Sequence, residues 1–235
     1  MVSRLLPESL RRGMVVFWLL VGMLAVALPA LADSALSPER TVTQLADGVY
    51  EIRHRDPYPG FVHGNTTVVI GERAVLVVDS CQTAGAAEED IAEIRRWTDK
   101  PVRYVVNTHW HQDHNGGNAQ YLAAFPGLSI LAHRETRAMM DATHANVTAS
   151  WARDTEAGRK SAEETLKKGV GATGKPLSER SRKFLQGQID GVAPMLAEAQ
   201  RWTYQGPTVT FDDGLDIDLG GRTAQVRHPG RGNTG

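Results

Sequence analysis

The sequence places four side chains that commonly bind metal ions within six consecutive positions. The segment NTHWHQDHNGG, residues 107–117, contains His109, His111, Asp113 and His114, although the whole chain has only eight histidines. A lone histidine after a strand usually makes one hydrogen bond. Four such groups this close together repel one another and lose hydration unless something organises them. Imidazole and carboxylate ligands together suit zinc, with iron or manganese as alternatives, so the segment predicts a metal site.

The residues before this segment determine how its side chains are presented. VRYVV, residues 102–106, is an apolar run that is typical of a buried strand. Side chains two positions apart in an extended segment point to the same side, so His109 and His111 are expected to converge on one point. Asp113 and His114 follow in the next turn, where they can face a second point. Ligand sites in α/β sheets collect beyond the carboxyl ends of the strands, which agrees with this position.

Strand and helix patterns alternate around the histidine segment. Two strand-like runs flank Asp47 and Gly48 and predict a β-hairpin. Two more β-branched runs follow, and residues 83–98 then show apolar positions at helical spacing with acidic residues early and arginines late. A strand, a short helix and another strand complete the series. This order predicts an α/β fold in which a parallel layer lies beside the opening hairpins.

Residues 134–202 have a different composition, rich in Ala, Glu, Lys and Arg. The pattern predicts two or three amphipathic surface helices, with breaks at residues 169–176 and near Gly191, forming a helical insertion over about residues 134–205. Two interpretations stay open: the insertion is a lid or substrate wall, or it is a solvated cap without a chemical role. Strand patterns return after Pro207.

Three segments carry a resemblance to a known family. HWHQDH, residues 109–114, resembles the H-x-H-x-D-H signature of the metallo-β-lactamase superfamily. AVLVVDS resembles the family's strand that ends in an aspartate, here Asp79, and HPGRGNTG near the end resembles its G-H-T-x-G motif. The resemblance covers about residues 41–132 and the chain from residue 208 onward, and the helical segment between them is the least family-like part.

The resemblance implies a four-layer αββα sandwich with a site at one edge, between the two halves. It implies that His109 and His111 hold a first Zn²⁺ and that Asp113 and His114 hold a second. It also implies that Asp113 orients the shared water and handles its proton, while Asp79 orients the site from outside the ligand set. The loop YPGFVHGN, residues 58–65, leans over the substrate in such proteins; the alternative is an ordinary surface hairpin.

The chain departs from the family pattern near its end. Asn233 stands at the position of the third histidine. Three possibilities stay open for it: ligation through its amide oxygen, ligation through water, or no ligation. The bridging aspartate and final histidine of the family lie further along such chains than Gly235, so we expect a domain whose C-terminal part is missing. We therefore expect weak metal binding and slow turnover, an expectation that nanomolar binding of two zinc equivalents would refute.

The first 32 residues have the pattern of a secretory signal. Arginines precede an uncharged run over residues 14–32, which ends in Ala-Leu-Ala and predicts cleavage after Ala32. We expect export to a bacterial periplasm and a mature domain over residues 33–235. The run also approaches the length of a bilayer span, so a retained membrane anchor is the alternative.

Composition excludes some functions. The 26 basic and 27 acidic residues nearly balance, which gives no basic footprint for nucleic acid. Cys81 is the only cysteine, which excludes an intrachain disulfide, and we interpret it as a small buried residue rather than a nucleophile. No role is assigned to His54, His133 or His144, and His228 is interpreted as a polar residue at a strand end.

These observations predict an exported metal-dependent hydrolase that acts on a small molecule. The substrate stays open between esters, lactones and amides, including β-lactams, because a fold does not fix a function. The alternative is a non-catalytic or decayed member of the same fold that binds a metal or a ligand. Asn233 favours this alternative, and the intact segment from His109 to His114 opposes it. We expect no stable membrane association after signal cleavage.

Overall fold

The computed structural model describes residues 40–144, 147–230 and 232. The predicted signal peptide and Asn233 lie outside these residues. Within the described ranges, no helix combines the length and the hydropathy that a membrane span requires. The strands are β1 (Arg40–Ala46), β2 (Val49–His54), β3 (Thr66–Ile70), β4 (Val75–Val78), β5 (Val102–Val106), β6 (Ser129–His133), β7 (Val209–Phe211), β8 (Gly214–Asp218) and β9 (Thr223–Arg227). The helices are α1 (Ala84–Trp97), α2 (Gln112–Asn115), α3 (Asn118–Ala124), α4 (Arg134–His144), α5 (Val147–Lys168) and α6 (Glu179–Arg201).

Seven strands form one sheet in the order in which they occur along the chain, from β1 to β7. The first four pair antiparallel, and β4 to β7 pair parallel. The predicted opening hairpin is present between β1 and β2. Its turn requires Gly48, which has a φ of 65° and whose Cβ, if it had one, would lie 2.8 Å from the carbonyl oxygen of Ile70. The predicted parallel layer beside antiparallel strands is therefore confirmed.

One face of this sheet is covered by α1 and α3. The predicted helix begins where Thr83 accepts a hydrogen bond from the backbone N–H of Ala86 through its side chain, 3.2 Å away. Ile91 and Ile94 are buried against the sheet strands, and Trp97 is half-buried and stacks on Tyr50 of β2. The segments that contain the candidate site residues follow the ends of β4 and β5.

The opposite face of the sheet packs against the antiparallel pair β8–β9. Leu76 of β4, Val106 of β5 and Leu131 of β6 meet Ile217 and Leu219 in a second core cluster. In the described residues, the order is therefore a helical layer, a seven-stranded sheet and a two-stranded sheet. This arrangement confirms the predicted α/β class.

Three helices follow β6, and the predicted break at residues 169–176 separates α5 from α6. The predicted break near Gly191 is wrong, because α6 continues through it. Gly191 is instead a site of close packing: a Cβ there would lie 2.7 Å from the side chain of Tyr58 and 2.9 Å from that of Phe61. Glycine at this position therefore lets the loop after β2 lie directly against α6.

The helical segment is tied to α1 near the C-terminal end of α6. The carboxylate of Glu198 accepts a hydrogen bond from the backbone N–H of Gly85, 3.1 Å away, in the first turn of α1. Arg201 pairs with Glu88 of α1 at 2.6 Å and with Glu198 at 2.9 Å. An acidic group at a helix N-terminus is favourable because unpaired N–H groups point toward it.

Candidate metal centre

The four predicted ligands lie directly beyond the carboxyl end of β5. His109 and His111 follow this strand, and Asp113 and His114 lie in the single-turn helix α2. We call these four residues the cradle. Strand β5 is central in the parallel part of the sheet, so its end opens at the edge where α/β folds collect ligands.

The structure places the side chains of the cradle side by side, but no three of its ligand atoms lie within 4.8 Å of one another. The ring of His109 lies 4.0 Å from that of His114 and 4.8 Å from that of His111, measured between centroids. Nε2 of His114 is 3.2 Å from a carboxylate oxygen of Asp113. All four residues are half-buried, so the cradle is open to solvent on one side. Their role as metal ligands remains a prediction from the sequence.

Asp79 buttresses the cradle from the end of the neighbouring strand β4. One of its carboxylate oxygens accepts hydrogen bonds from Nδ1 of His114 at 2.7 Å and from the hydroxyl of Thr108 at 2.8 Å. The other accepts from the backbone N–H of Thr108 at 2.8 Å. The backbone of Asp79 is left-handed, with a φ of 60°, a strained conformation for a residue that is not glycine.

These contacts determine which imidazole nitrogens remain available. Nδ1 of His114 donates to Asp79, which leaves Nε2 directed toward Asp113. The hydroxyl of Thr108 donates its hydrogen to Asp79. Nδ1 of His109 lies 3.0 Å from the oxygen of that hydroxyl and therefore donates a hydrogen bond to it. Nε2 of His109 is therefore the nitrogen left to bind a ligand.

Two opposing effects act on the titration of the cradle. Burial works to lower the pKa of His114, but its hydrogen bonds to Asp113 and Asp79 outweigh this effect and raise the pKa to about 9. Burial works to raise the pKa of Asp113, and the hydrogen bond from His114 reverses this effect and lowers it. Burial, followed by the nearby His114, lowers the pKa of His109. Without a metal ion, Asp113 and His114 thus form an ion pair near neutral pH.

The turn after the cradle is held by close backbone contacts. The amide of Asn115 donates to the carbonyl oxygens of Trp110 at 3.0 Å and His111 at 2.6 Å. A Cβ at Gly116 would lie 2.1 Å from the carbonyl oxygen of Gln82, and one at Gly117 would lie 2.2 Å from that of Ser80. Both positions therefore require glycine, because the loop after β4 lies too close to this turn to leave room for a side chain.

A second cluster of potential ligands lies inside the fold. His54 ends β2, Cys81 follows β4 and Asp90 lies in α1, and we call these three residues the buried cluster. Their ligand atoms all lie within 4.8 Å of one another, a criterion that no other group of His, Cys, Asp or Glu meets in the described part of the chain. Cys81 is buried, as the sequence predicts, whereas no role was predicted for His54.

A cavity of about 490 Å³ lies between the loop after β2 and the helical segment. Phe61 and Val62 line it from the loop, Trp151 and Arg159 from α5, and Val192 from α6. The same loop reaches the cradle further along, where the backbone N–H of Gly64 donates to the carbonyl oxygen of Asp113, 3.1 Å away. The loop that contacts the cradle therefore also forms one wall of the cavity.

Comparison with known families decides the family of the chain. The family model described as the metallo-beta-lactamase superfamily matches residues 59–235, which is most of the chain. The chain belongs to the metallo-beta-lactamase superfamily. The match includes the cradle, Asp79 and the whole helical segment between β6 and β7.

Members of this superfamily with curated names are similar over limited regions. A lactamase-like protein, aptB, from Emericella nidulans is 33% identical over 89 residues, which are 37% of this chain and 29% of that protein. An atrochrysone carboxyl ACP thioesterase from Passalora fulva is 31% identical over 133 residues, which are 54% of this chain and 36% of the thioesterase. The matched regions thus span about a third of the length of these relatives.

The similarity to a solved metallo-β-lactamase structure also covers only part of each chain. The chain is similar to the metallo-β-lactamase FIM-1 from Pseudomonas aeruginosa, crystallised in its mono-zinc form, with 21% identity and a TM-score of 0.39. The similarity covers 45% of this chain and 47% of the other. Membership of the superfamily rests on the family model rather than on this likeness.

The donor set of the cradle fits the zinc that the superfamily resemblance implies. Three imidazoles and one carboxylate are the ligand types that zinc takes in sites open to solvent. An imidazole that donates one nitrogen to a carboxylate and offers the other to the metal is a recurrent arrangement, and His114 has it through Asp79. His228, by contrast, stacks on His133 at 3.8 Å between ring centroids.

Proposed function

We propose that this chain is a metal-dependent hydrolase that cleaves an ester-type bond, with an acyl thioester as the preferred substrate class and lactones or amides, including β-lactams, as further substrates. The observation that carries the proposal is the contact chain from Asp79 through His114 to Asp113. It leaves one imidazole nitrogen and one carboxylate 3.2 Å apart on the open side of the cradle. A catalytic metal site keeps such an open side, whereas a structural site is closed.

Each residue of the cradle has a separate role in this proposal. His109 and His111 would hold one metal position, and Asp113 and His114 would hold the second. A zinc ion bound there would supply a water of lowered pKa and would polarise the bond to be cleaved. Asp113, whose carboxylate is half-buried and whose pKa is lowered, would orient that water and accept its proton. Asp79 holds the ring of His114 in its orientation without touching the substrate.

The cavity beside the loop supports a substrate with an apolar acyl part. Phe61, Trp151 and Val192 offer apolar surface, and Arg159 adds a positive charge at one wall. The thioesterase relative from Passalora fulva supports the thioester class, and its name specifies an acyl-carrier-protein substrate for that protein. We propose that the helical segment acts as a substrate wall.

The location and the partners belong to the same proposal. The N-terminal pattern supports export to a periplasm, where the substrate would be a small molecule, and the balanced charge supports no nucleic-acid partner. Fractionation of cells that express the chain tests the location. Recovery in the periplasmic fraction with residues 1–32 removed supports export, and recovery in the cytoplasm with these residues attached contradicts it.

The activity is tested with a panel of chromogenic thioester, ester, lactone and β-lactam substrates. The protein is stripped with a chelator and then titrated with zinc. We expect hydrolysis to appear only with zinc and to be fastest for the thioester. His111→Ala should remove it, whereas His133→Ala, a matched histidine outside the cradle, should leave it unchanged. A folded, zinc-loaded chain with no turnover on any substrate would favour the non-catalytic alternative.

A further inference from the structure

The buried cluster holds three potential metal ligands at mutual hydrogen-bond distances. Nε2 of His54 lies 3.0 Å from a carboxylate oxygen of Asp90, and Sγ of Cys81 lies 3.0 Å from the same oxygen. Sγ of Cys81 lies 3.3 Å from Nε2 of His54. All three residues are buried, and the side chains of His54 and Asp90 have no exposed surface. No residue of the cradle belongs to this cluster.

The backbone at Cys81 indicates that the thiol itself matters. Its φ is 64°, in the left-handed region that glycine adopts without cost and that costs other residues about 1 kcal/mol or more. A cysteine that served only as small apolar filling gains nothing there that compensates for this cost. The left-handed turn directs the thiol toward Asp90 and the ring of His54.

The spacing of the three ligand atoms is close to that of a tetrahedral zinc site. With zinc bonds of about 2.0–2.3 Å to nitrogen, oxygen and sulfur, the ligand atoms of such a site are about 3.4–3.6 Å apart. The observed 3.0–3.3 Å would need to expand by about half an ångström, which small side-chain rotations provide. The ligands come from three elements, so the ion would join β2, the loop after β4 and α1.

His63 supplies an independent observation that points to a ligand. It is 93% buried, since only 7% of its surface is exposed, and neither of its ring nitrogens has a hydrogen-bond partner in the structure. Its ring centroid is 5.9 Å from that of His54. Two imidazoles on one tetrahedral ion have centroids about 5 Å apart. The ring nitrogens of His63 are not within 4.8 Å of all three other ligand atoms, so His63 would have to move toward the cluster to become a fourth ligand.

We propose that His54, Cys81 and Asp90, with His63 as the fourth ligand, form a buried structural site for a zinc ion. A thiolate and a carboxylate neutralise the two positive charges of the ion, so the loaded site carries no net charge into the interior. Binding breaks the S–H bond of Cys81 and forms the sulfur–metal bond, and the proton leaves to solvent. Arg40, 3.4 Å from the other oxygen of Asp90, stays as an outer partner.

The site would organise the loop that reaches the cradle. Cys81 lies two residues after Asp79, and its carbonyl oxygen accepts a hydrogen bond from the backbone N–H of Gly116, 2.8 Å away. An ion bound to the thiolate would therefore hold the loop between β4 and α1 in place from the buried side. This role is structural, and the experiment that tests it does not depend on the proposed hydrolase activity.

Cobalt substitution tests the proposal, because a cobalt–thiolate bond gives a charge-transfer absorption that imidazole and carboxylate ligands do not give. The full chain is produced in cobalt-supplemented medium, and its metal content and absorption spectrum are measured. Since Cys81 is the only cysteine, such a band can report only on the buried cluster. We expect the band in the unmodified chain and in His111→Ala, whose cradle is disrupted.

Two variants at Cys81 complete the test. Cys81→Gly suits the left-handed backbone and should fold, and Cys81→Ser keeps the size of the side chain; both should lose the band and about one equivalent of metal. Absence of the band from a folded, cobalt-grown chain would overturn the proposal and make the cluster a hydrogen-bonded network only. If both variants failed to fold, the presence or absence of the band in the unmodified chain and in His111→Ala would still show whether Cys81 binds the metal.

Discussion

The cradle and the buried cluster are built from similar side chains but differ in their access to solvent. The cradle, with His109, His111, Asp113 and His114, is half-exposed beyond a strand end, whereas His54, Cys81 and Asp90 are enclosed by β2, α1 and the loop after β4. Sites that react with substrates keep an open coordination position, and sites that hold a fold together are closed. Residues of ligand type alone therefore do not distinguish a site for chemistry from a site that holds the fold together, whereas their exposure to solvent does.

The two regions also stabilise charge differently. In the cradle, carboxylates on either side of His114 raise its pKa to about 9 although burial works against this shift. In the interior, burial raises the pKa of the Cys81 thiol well above its ordinary value and lowers the pKa of His63 to about 4. The cradle therefore holds charge without help, whereas burial favours the neutral forms of the Cys81 thiol and the His63 ring.

The largest expected effect is a loss of hydrolysis in a variant of the cradle that leaves the buried cluster intact. Asp113→Asn keeps the size of the side chain but removes the proposed proton acceptor and weakens a proposed metal ligand, so kcat should fall by about 10²–10⁴-fold. Steady-state hydrolysis of the thioester measures this loss. The cobalt–thiolate absorption of the same variant should stay unchanged, because Asp113 is not part of the buried cluster. A variant with full kcat would remove Asp113 from the proposed chemistry.

The next effect concerns stability. Asp90→Ala leaves His54 and Cys81 without their shared partner in the interior, and the free energy of unfolding should fall by about 3–5 kcal/mol. Urea denaturation measures this change. Asp99→Ala, at an exposed position after α1, is the matched control and should change it by less than about 0.5 kcal/mol. Equal, small losses in both variants would contradict the structural role of the buried cluster.

A pH series isolates the ion pairs of the cradle in chelator-treated protein. The pKa of His114 is raised from 6.5 to about 9 on folding, so its charged contacts with Asp79 and Asp113 stabilise the fold fully below pH 6.5. This contribution, on the order of 1–3 kcal/mol, is lost as the pH rises through about 9. The free energy of unfolding should therefore decline between these pH values. His114→Gln should flatten the decline, and an unchanged slope in this variant would contradict the assignment.

The smallest expected effects test the cavity wall. Gly158 lines the cavity from α5, and a Cβ there would meet nothing within 4 Å. Gly158→Ala should stabilise the chain by about 0.5–1 kcal/mol, since alanine favours the helix, and leave KM unchanged. Gly158→Leu should raise KM several-fold with little change in kcat. An unchanged KM in a folded Gly158→Leu variant would contradict the substrate wall.

The parts of the fold that the sequence predicts correctly are those that a local pattern determines. The hairpin at Gly48, the helix over residues 83–98 and the alternation of strands all follow from short-range periodicity, and the ligand types of the cradle are adjacent in the chain. The break predicted near Gly191 was wrong, because that glycine serves close packing against Tyr58 rather than a turn. No pattern within α6 itself reveals a neighbour from a distant loop.

The buried cluster was missed for a related reason. His54 is 27 positions from Cys81 and 36 from Asp90, and only the pairing of β2 with the sheet and the packing of α1 bring them together. A lone cysteine after a strand carries no sign of its partners. The left-handed backbone at Cys81 is a signal, but it is visible only in the structure.

One measurement tests most directly the claim that the two regions have separate roles. Zinc content and thioester hydrolysis are measured together for the unmodified chain, His111→Ala and Cys81→Gly, each confirmed to be folded. We expect His111→Ala to lose hydrolysis but to keep the zinc of the buried cluster. We expect Cys81→Gly to lose that zinc but to keep kcat within a few-fold. Zinc-dependent hydrolysis that survives in His111→Ala would contradict separate roles for the two regions.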